Sequence, residues 1–229
     1  MARTHLIIGG SYGIGSTLVE LFPAEDQIFI ASRTNETHTA ANVTHLPFDV
    51  LKDDVAFLAL PEQIDSFVYC PGSINLKPFK MLSEDHFKEE MELNFFGLVR
   101  TVKGVIDRMK EGGSMLFFST VAVQTGMPFH SSIAAAKGAI EGFTRSMAAE
   151  YAPKIRINAI APSLVDTPLA ARLLNNDKKR EMMADRHPLK RVGSAKDIAQ
   201  MAAFLLNENN SWITGQVFGV DGGKSSLSI

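Results

Sequence analysis

The sequence predicts an α/β fold: a doubly wound sandwich built on a seven-stranded parallel sheet. Short β-rich apolar runs alternate with helical patterns along the chain, and this order favours one sheet with helices on both faces. Most of the runs are continuously apolar, as in Leu-Ile-Ile at residues 6–8, which is typical of strands covered on both faces. Ligands of such folds bind beyond the carboxyl ends of the strands, so the residues after each strand are candidate functional positions.

Seven segments have the character of buried strands. Each is a short run in which apolar, mostly β-branched or aromatic, residues predominate. The predicted strands are His5–Gly9, Gln27–Ser32, Val43–Phe48, Ser66–Tyr69, Met115–Ser119, Ile155–Ala161 and Val217–Val220.

The segments between these runs predict helices. Gly15–Phe22 has an apolar face, and Ser83 can cap a long helix whose first turn is acidic. Ser132–Glu150 is rich in alanine, a strong helix former. The sequence Ser-Ala-Lys-Asp at 194–197 is a capping box in front of Ile198–Leu206.

Composition limits the classes of protein to which the chain can belong. Its 229 residues, with 45% apolar and 21% charged residues, predict one globular domain over residues 1–229. The formal net charge of −2 indicates neither a nucleic-acid partner nor an anionic membrane surface. The sequence has no signal-peptide pattern and no apolar run of membrane-spanning length, and its six histidines lack metal-ligand spacing. The single cysteine, Cys70, excludes an internal disulfide, so we expect a cytoplasmic protein.

A glycine loop follows the first predicted strand. Gly9, Gly13 and Gly15 lie between that strand and a helix, which is the context of a nucleotide-binding turn. The helix N-terminus would offer free N–H groups to a pyrophosphate. The second strand ends in Ser32-Arg33 with no carboxylate, and an arginine there favours the 2′-phosphate of NADP over the free ribose of NAD.

These features and several further motifs resemble the short-chain dehydrogenase/reductase family over essentially the whole chain. The family shares a Rossmann-type fold and transfers hydride between a nicotinamide and a carbonyl or alcohol carbon. Residues 34–41 and 52–60 are brief for the family, so reduced helices are expected beside the adenosine half. The motifs that carry the resemblance are Gly9-x-x-x-Gly13-x-Gly15, Asp49-Val50, Cys70-Pro71-Gly72 (where the family usually has Asn-Ala-Gly), Asn94, Asn158–Thr167 and Thr214–Gly223.

The resemblance implies a set of cofactor contacts at the ends of successive strands. Asp49-Val50 corresponds to the pair that meets the adenine ring, and Pro162 to Thr167 to the segment beside the nicotinamide. The implied contacts are Gly9, Ser11, Tyr12, Gly13, Ile14, Gly15, Ser32, Arg33, Asp49, Val50, Cys70, Pro71, Gly72, Lys137, Pro162, Val165 and Thr167.

The catalytic residues that the resemblance implies are Asn94, Thr120 and Lys137. The family's acid/base tyrosine lies four residues before the lysine, on the same helix face, and this position holds Ile133. Isoleucine has no proton to give, and the three tyrosines, at 12, 69 and 151, are not well placed to substitute. Candidate proton donors are His130, a water ordered by Thr120 and Lys137, or none at all, if the substrate needs no donor.

Two functions remain open at this point. The first is an NADP(H)-dependent oxidoreductase with non-standard proton delivery, acting on a small carbonyl or alcohol. The second is an NADP(H)-binding protein without turnover, such as a redox sensor or a structural subunit. The resemblance also implies a substrate lid at 167–187 and a homodimer or homotetramer formed through the helices that carry Asn94 and Lys137.

Overall fold

The computed structural model describes residues 2–35 and 38–228. Seven parallel strands form one sheet in the order β3-β2-β1-β4-β5-β6-β9, and the short β7 and β8 pair separately. The strands are β1 (Thr4–Ile8), β2 (Gln27–Ser32), β3 (Val43–Pro47), β4 (Ile64–Tyr69), β5 (Met109–Phe118), β6 (Ile155–Pro162), β7 (Val165–Asp166), β8 (Gly193–Ser194) and β9 (Val217–Val220).

The predicted fold class is therefore confirmed, and the seven predicted strands are those of the large sheet. The largest difference is in β5, which begins at Met109 and not at Met115. Its early residues pair irregularly with β4, with a register shift between Ile64 and Ser66. The sequence there, Lys-Glu-Gly-Gly, has no apolar run that would indicate a strand.

The described part of the chain contains seven α-helices, and the helix predicted after Ser83 is interrupted. It runs as α2, then as a π-helical turn over Glu92–Phe96, then as α3. The α-helices are α1 (Gly13–Val19), α2 (Glu84–Met91), α3 (Gly97–Val105), α4 (Ala122–Thr125), α5 (Ser131–Tyr151), α6 (Asp177–Asp185) and α7 (Ala195–Leu206). Short 3₁₀ turns cover Val55–Phe57, Phe79–Met81, Ile106–Arg108, Pro168–Ala170 and Glu208–Asn210.

Both faces of the sheet are covered, as the continuous apolar runs predict. In β1, Leu6 and Ile8 belong to one buried cluster, while Ile7 belongs to another. The first cluster includes Leu98 of α3 and the second includes Leu18 of α1. Because adjacent strand residues face opposite sides, only a strand buried on both sides needs an unbroken apolar run.

The connections beside β2 and β3 are short. Residues 52–60 contain one 3₁₀ turn, Val55–Phe57, as expected from their length. The other brief stretch, 34–41, includes Glu36 and Thr37, which lie outside the described residues, so that expectation stays open. Over the described chain, no helix combines the length and apolarity needed to cross a membrane.

A buried polar network holds the beginning of β1. The His5 side chain is fully buried and stacks on the ring of Phe22 at 3.8 Å. Its Nε2 lies 2.9 Å from Asp26 Oδ2, and its Nδ1 is hydrogen-bonded to the Ser66 hydroxyl. A neutral imidazole fits both contacts, with Nε2–H donating to Asp26 and Nδ1 accepting from Ser66. Burial lowers the pKa of His5 below its usual value, against the opposing effect of Asp26.

Candidate active site

A cleft of about 720 Å³ lies at the carboxyl ends of the central strands. It is lined by the loops that follow β1 to β6 and by the beginning of α5. All seventeen predicted cofactor contacts, Lys137 among them, border this cleft, together with Thr120, His130 and Ile133. The large sheet therefore gathers into one place residues that are far apart in sequence.

The glycine loop forms one wall of the cleft. Gly13 has φ +63°, a left-handed conformation that favours glycine, and it opens the helix α1. At Gly15, a Cβ would lie 2.6 Å from the carbonyl oxygen of Gly9, so a side chain there would push the helix away from the loop. The loop thus needs glycine for two different reasons, turning at Gly13 and close packing at Gly15.

The wall at the end of β2 is rich in hydroxyl groups. Ser11 Oγ lies 2.5 Å from Ser32 Oγ, and Ser11 also contacts the carbonyl oxygen of Thr34. His45 Nε2 lies 3.0 Å from Ser32 Oγ on the other side. Arg33 is exposed at the rim of this wall. Hydrogen bonds of Ser11 and Ser32 therefore fix the end of β2, whereas the Arg33 side chain is exposed.

Lys137 is the buried cation of the cleft. It lies on α5, is 7% exposed, and its Nζ donates a 2.9 Å hydrogen bond to the carbonyl oxygen of Phe118 at the end of β5. Burial lowers the pKa of Lys137 to about 8, whereas the nearby charge of Glu90 acts in the opposite direction. An amine with a pKa near 8 can hold or release a proton at neutral pH.

Ile133 lies one turn before Lys137 on α5, and both side chains border the cleft. Thr120 borders it from the loop after β5, and its Oγ1 accepts a 3.3 Å hydrogen bond from the backbone N–H of Ala122. The Thr120 hydroxyl hydrogen is therefore left to donate elsewhere. His130 precedes α5 at the mouth of the cleft, where its Nδ1 lies 2.7 Å from the carbonyl oxygen of Pro128.

Asn94 lies behind the cleft in the π-helical turn and is fully buried. Its Nδ2 donates to the backbone carbonyl of Glu90 at 2.9 Å and to Glu90 Oε2 at 3.0 Å. Its Oδ1 has no hydrogen-bond partner among the described residues. A Cβ on Gly72 would lie 3.4 Å from this Oδ1 and 3.5 Å from Lys137 Nζ, so both atoms face the space beside Gly72.

The three tyrosines lie in different surroundings. The Tyr69 hydroxyl is buried and donates to the carbonyl oxygen of Leu93 at 2.6 Å, and burial raises the pKa of Tyr69 above its usual value. Tyr12 is half exposed in the glycine loop, and Tyr151, the last residue of α5, packs on the core. Lys137 and His130 border the same cleft as Thr120.

Several residues of the segment 163–187 border the cleft. Leu169, Leu173, Met183 and Arg186 border it from this segment. His187 is buried at its end, where Nδ1 lies 2.8 Å from the carbonyl oxygen of Met183 and Nε2 lies 2.8 Å from Ser163 Oγ.

Comparisons with known proteins agree with this geometry. The family model described as enoyl-(acyl carrier protein) reductase matches residues 11–225. The 3-oxoacyl-[acyl-carrier-protein] reductase FabG of Chlamydia trachomatis serovar D is 32% identical over 243 aligned positions, which cover 97% of each chain.

The chain belongs to the short-chain dehydrogenase/reductase family.

Solved structures of this family superpose closely on the chain. A short-chain dehydrogenase family protein from Francisella tularensis has a TM-score of 0.92, at 24% identity, covering 99% of this chain and 100% of its own. ElxO, solved with NADP bound, has a TM-score of 0.87 at 25% identity and covers 99% of this chain and 100% of its own. Members of the short-chain dehydrogenase/reductase family use a nicotinamide cofactor, so the chain is an oxidoreductase of this type.

The residues of this family member fit a nicotinamide dinucleotide. The glycine loop leaves backbone accessible at one end of the cleft, and the buried Asn94 Oδ1 and the Lys137 amine face the same space at the other. An acceptor and a donor at that place suit the hydroxyls of a sugar.

Sequence reasoning missed several residues of the site. Ser73, Ser119 and Ser163 border the cleft, and the buried carboxylates of Glu90 and Glu141 support two of them. The sequence places Glu90 four residues before Asn94. Residues i and i+4 share a helix face, so a contact between these two side chains could have been predicted. The burial of Glu90 was not visible, since it depends on a contact with the loop after β4.

Proposed function

We propose that the chain is an NADP(H)-dependent oxidoreductase that acts on a small carbonyl or alcohol, with non-standard proton delivery. The observation that carries the proposal is the meeting of Thr120, Lys137 and the glycine loop in one cleft, with Asn94 directly behind it. These groups suit cofactor and carbonyl chemistry. A purely structural role would not explain why they meet in one cleft.

Arg33 supports the choice of NADP over NAD. It is exposed at the rim of the wall formed by the end of β2, and in the sequence this strand ends in Ala-Ser-Arg at 31–33, without an Asp or Glu. A guanidinium forms charge-assisted hydrogen bonds with a phosphate, whereas a carboxylate would accept from the free hydroxyls of a ribose. ElxO, which was solved with NADP bound, supports the same choice.

The remaining predicted contacts would hold the other parts of the cofactor. We assign the pyrophosphate to the glycine loop, the adenine to Asp49 and Val50, and the nicotinamide half to Lys137 and to residues 162–167. A carbonyl substrate would gain a hydride from the bound nicotinamide at carbon and a proton at oxygen, giving the alcohol and the oxidised cofactor.

Two side chains of the site serve the substrate oxygen. The Thr120 hydroxyl would donate a hydrogen bond to it, which stabilises negative charge as it develops. The Lys137 ammonium would favour the same charge electrostatically and can release a proton near neutral pH. His130, at the mouth of the cleft, remains a second candidate for the proton donor.

Ile133 makes the proton delivery non-standard, because this side chain cannot ionise. A positioned general acid contributes typically about 10²–10⁴-fold in rate, so its loss predicts a slow enzyme rather than an inert one. A tyrosine-to-phenylalanine variant of ElxO was solved with NADPH bound, so that protein binds the cofactor after the loss of one phenol.

The substrate side of the cleft favours a substrate with apolar character. Leu76, Met127, Leu169, Leu173 and Met183 border it, and we assign residues 167–187 as a lid over this part.

We also propose a homodimer or homotetramer through α2, α3 and α5. Light scattering tests the assembly, and a particle of 25.0 kDa contradicts it.

Turnover and binding are tested separately. We expect NADPH to bind at micromolar concentration, and a panel of ketones and aldehydes to oxidise it above background. The substitution Lys137→Ala should abolish the oxidation. Binding of NADPH without turnover of any carbonyl or alcohol would favour a silent NADP(H)-binding protein, and absence of binding would contradict both functions.

A further inference from the structure

A second buried charge lies close to Lys137. Glu90, on α2, is only 3% exposed, yet its side chain carries a carboxylate. Carboxylates are almost never this deeply buried unless hydrogen bonds or an opposite charge compensate them. Its partners therefore indicate what it does.

The Glu90 carboxylate is held from two sides. Its Oε2 accepts a hydrogen bond from the Ser73 hydroxyl and another, at 3.0 Å, from Asn94 Nδ2. Asn94 Nδ2 also lies 3.0 Å from Ser73 Oγ, which closes a three-membered network. Ser73 borders the cleft, so this network reaches the same cavity as Lys137.

Lys137 supplies the positive charge. Its one hydrogen bond in the described structure goes to a neutral group, the carbonyl oxygen of Phe118. Its amine and Asn94 Oδ1 face the same space beside Gly72, so Asn94 stands between the ammonium and Glu90. A buried ammonium without a counter-charge releases its proton readily.

We propose that Glu90 is a positioning residue that keeps the Lys137 amine protonated, acting across Asn94 and at a distance. The inference rests on the proposed function, since a protonated Lys137 matters there as the proton source that replaces the absent phenol. The electrostatic effect of Glu90 on Lys137 agrees with this role, because its charge raises the pKa of Lys137 against the larger lowering by burial.

Cys70 and His130 do not supply this charge, which leaves Glu141 as the carboxylate to compare with Glu90. Cys70 faces it from the loop after β4, but burial raises the pKa of this thiol to about 12, so it is neutral at pH 7. His130 is at the mouth of the same cleft and cannot carry negative charge. Glu141 lies one turn after Lys137 on α5, and its carboxylate accepts a 2.7 Å hydrogen bond from Ser119.

The test is the titration of the Lys137 amine by NMR of ¹³C-lysine-labelled protein, assigned with Lys137→Arg. We expect a midpoint near pH 8 in the natural protein. Glu90→Gln should lower it by about 1 pH unit, the low end of the roughly 1–3 units that an opposite charge contributes, because Asn94 stands between the two groups. Glu90→Asp keeps the charge, so its Lys137 midpoint should differ from that of the natural protein by at most half as much as in Glu90→Gln.

Glu141→Gln is the matched control, because Glu141 is equally buried and is also hydrogen-bonded to a serine. In Glu141→Gln, the titration midpoint of Lys137 should stay within about 0.3 pH unit of its value in the natural protein. This margin is well below the shift expected for a paired charge. An unchanged midpoint in Glu90→Gln, or an equal shift in Glu141→Gln, would overturn the inference. If Glu90→Gln does not fold, Glu90→Met removes the same charge at similar length and is judged by the same outcomes.

The pH profile of NADPH oxidation gives the second measurement. Reduction should decline above the Lys137 midpoint, and Glu90→Gln should move this decline to lower pH by the same amount. The NMR titration needs no turnover. A protein that reduces nothing would therefore contradict the proposed function while the amine titration still decides the role of Glu90.

Discussion

His187 Nε2 accepts a 2.8 Å hydrogen bond from the Ser163 hydroxyl, joining the end of α6 to the loop after β6. The ring is oriented by its other nitrogen, since Nδ1–H donates to the carbonyl oxygen of Met183. One buried imidazole therefore ties the end of the segment 163–187, which borders the cleft, to the loop after β6.

Replacing His187 with Phe should loosen that segment. The change keeps the ring but leaves the Ser163 hydroxyl and the Met183 carbonyl without their partner, which costs about 1–3 kcal/mol of unfolding free energy. Amide hydrogen exchange should accelerate over residues 167–187 and stay constant in β1 and β4. Ser163→Ala removes one of the two bonds and should give a smaller effect in the same region. Unchanged exchange in both variants would contradict the anchoring role.

Removing Arg33 tests the choice of cofactor. Arg33→Ala should lower the ratio of NADPH to NADH affinity by roughly 10–100-fold, the equivalent of one charge-assisted hydrogen bond. The measurement is isothermal titration with each nucleotide. Arg145→Ala is the control, because Arg145 is exposed on α5 and does not border the cleft. A ratio that Arg33→Ala leaves unchanged means that the 2′-phosphate is bound elsewhere or not at all.

Restoring a phenol tests whether proton delivery limits the rate. A tyrosine at position 133 lies one helical turn from Lys137, so its hydroxyl can meet the ammonium and the substrate oxygen. Ile133→Tyr should raise kcat for ketone reduction by at least about tenfold, the low end of what a general acid contributes. Ile133→Phe has the same bulk without the proton and should show no gain. Equal rates in the two variants would show that another step limits turnover.

The His5 network predicts a loss of stability in acid. Because the pKa of His5 is lower in the folded protein than in the unfolded chain, the unfolded chain binds the proton more readily. The stabilisation is complete above about pH 6.5, the unfolded value, and is lost as the pH falls below it. Melting temperatures measured between pH 8 and 5 should fall more steeply for the natural protein than for His5→Gln. If the melting temperatures of the two proteins fall equally with pH, His5 is not the source of the acid sensitivity.

The sequence predicts well the features that depend on near neighbours. The continuous run at residues 6–8 predicts a strand buried on both faces, and Leu6 and Ile7 do face opposite clusters. The Ser194–Asp197 capping box also forms, with the Ser194 hydroxyl and backbone both contacting Asp197. These features are short-range, so a few consecutive residues are enough to specify them.

The features that were missed depend on residues brought together by the fold. The β7–β8 pair joins two-residue strands that are too short to show a pattern. Glu90 sits in a helix whose composition is polar, so an exposed position is the natural reading of the sequence. Its burial follows from Ser73 and Asn94, which approach it from a loop and from the π-helical turn. No local pattern encodes that meeting.

The pairing of β7 with β8 has a consequence for how this protein can diversify. Val165 pairs with Gly193 and Asp166 with Ser194, so residues 167–192 leave and return at neighbouring backbone positions. A loop with fixed ends can change in length at small entropic cost, about 0.6 kcal/mol per doubling. Residues 167–192 can therefore vary in length between two fixed ends, while the large sheet and the loops at the ends of its strands stay unchanged.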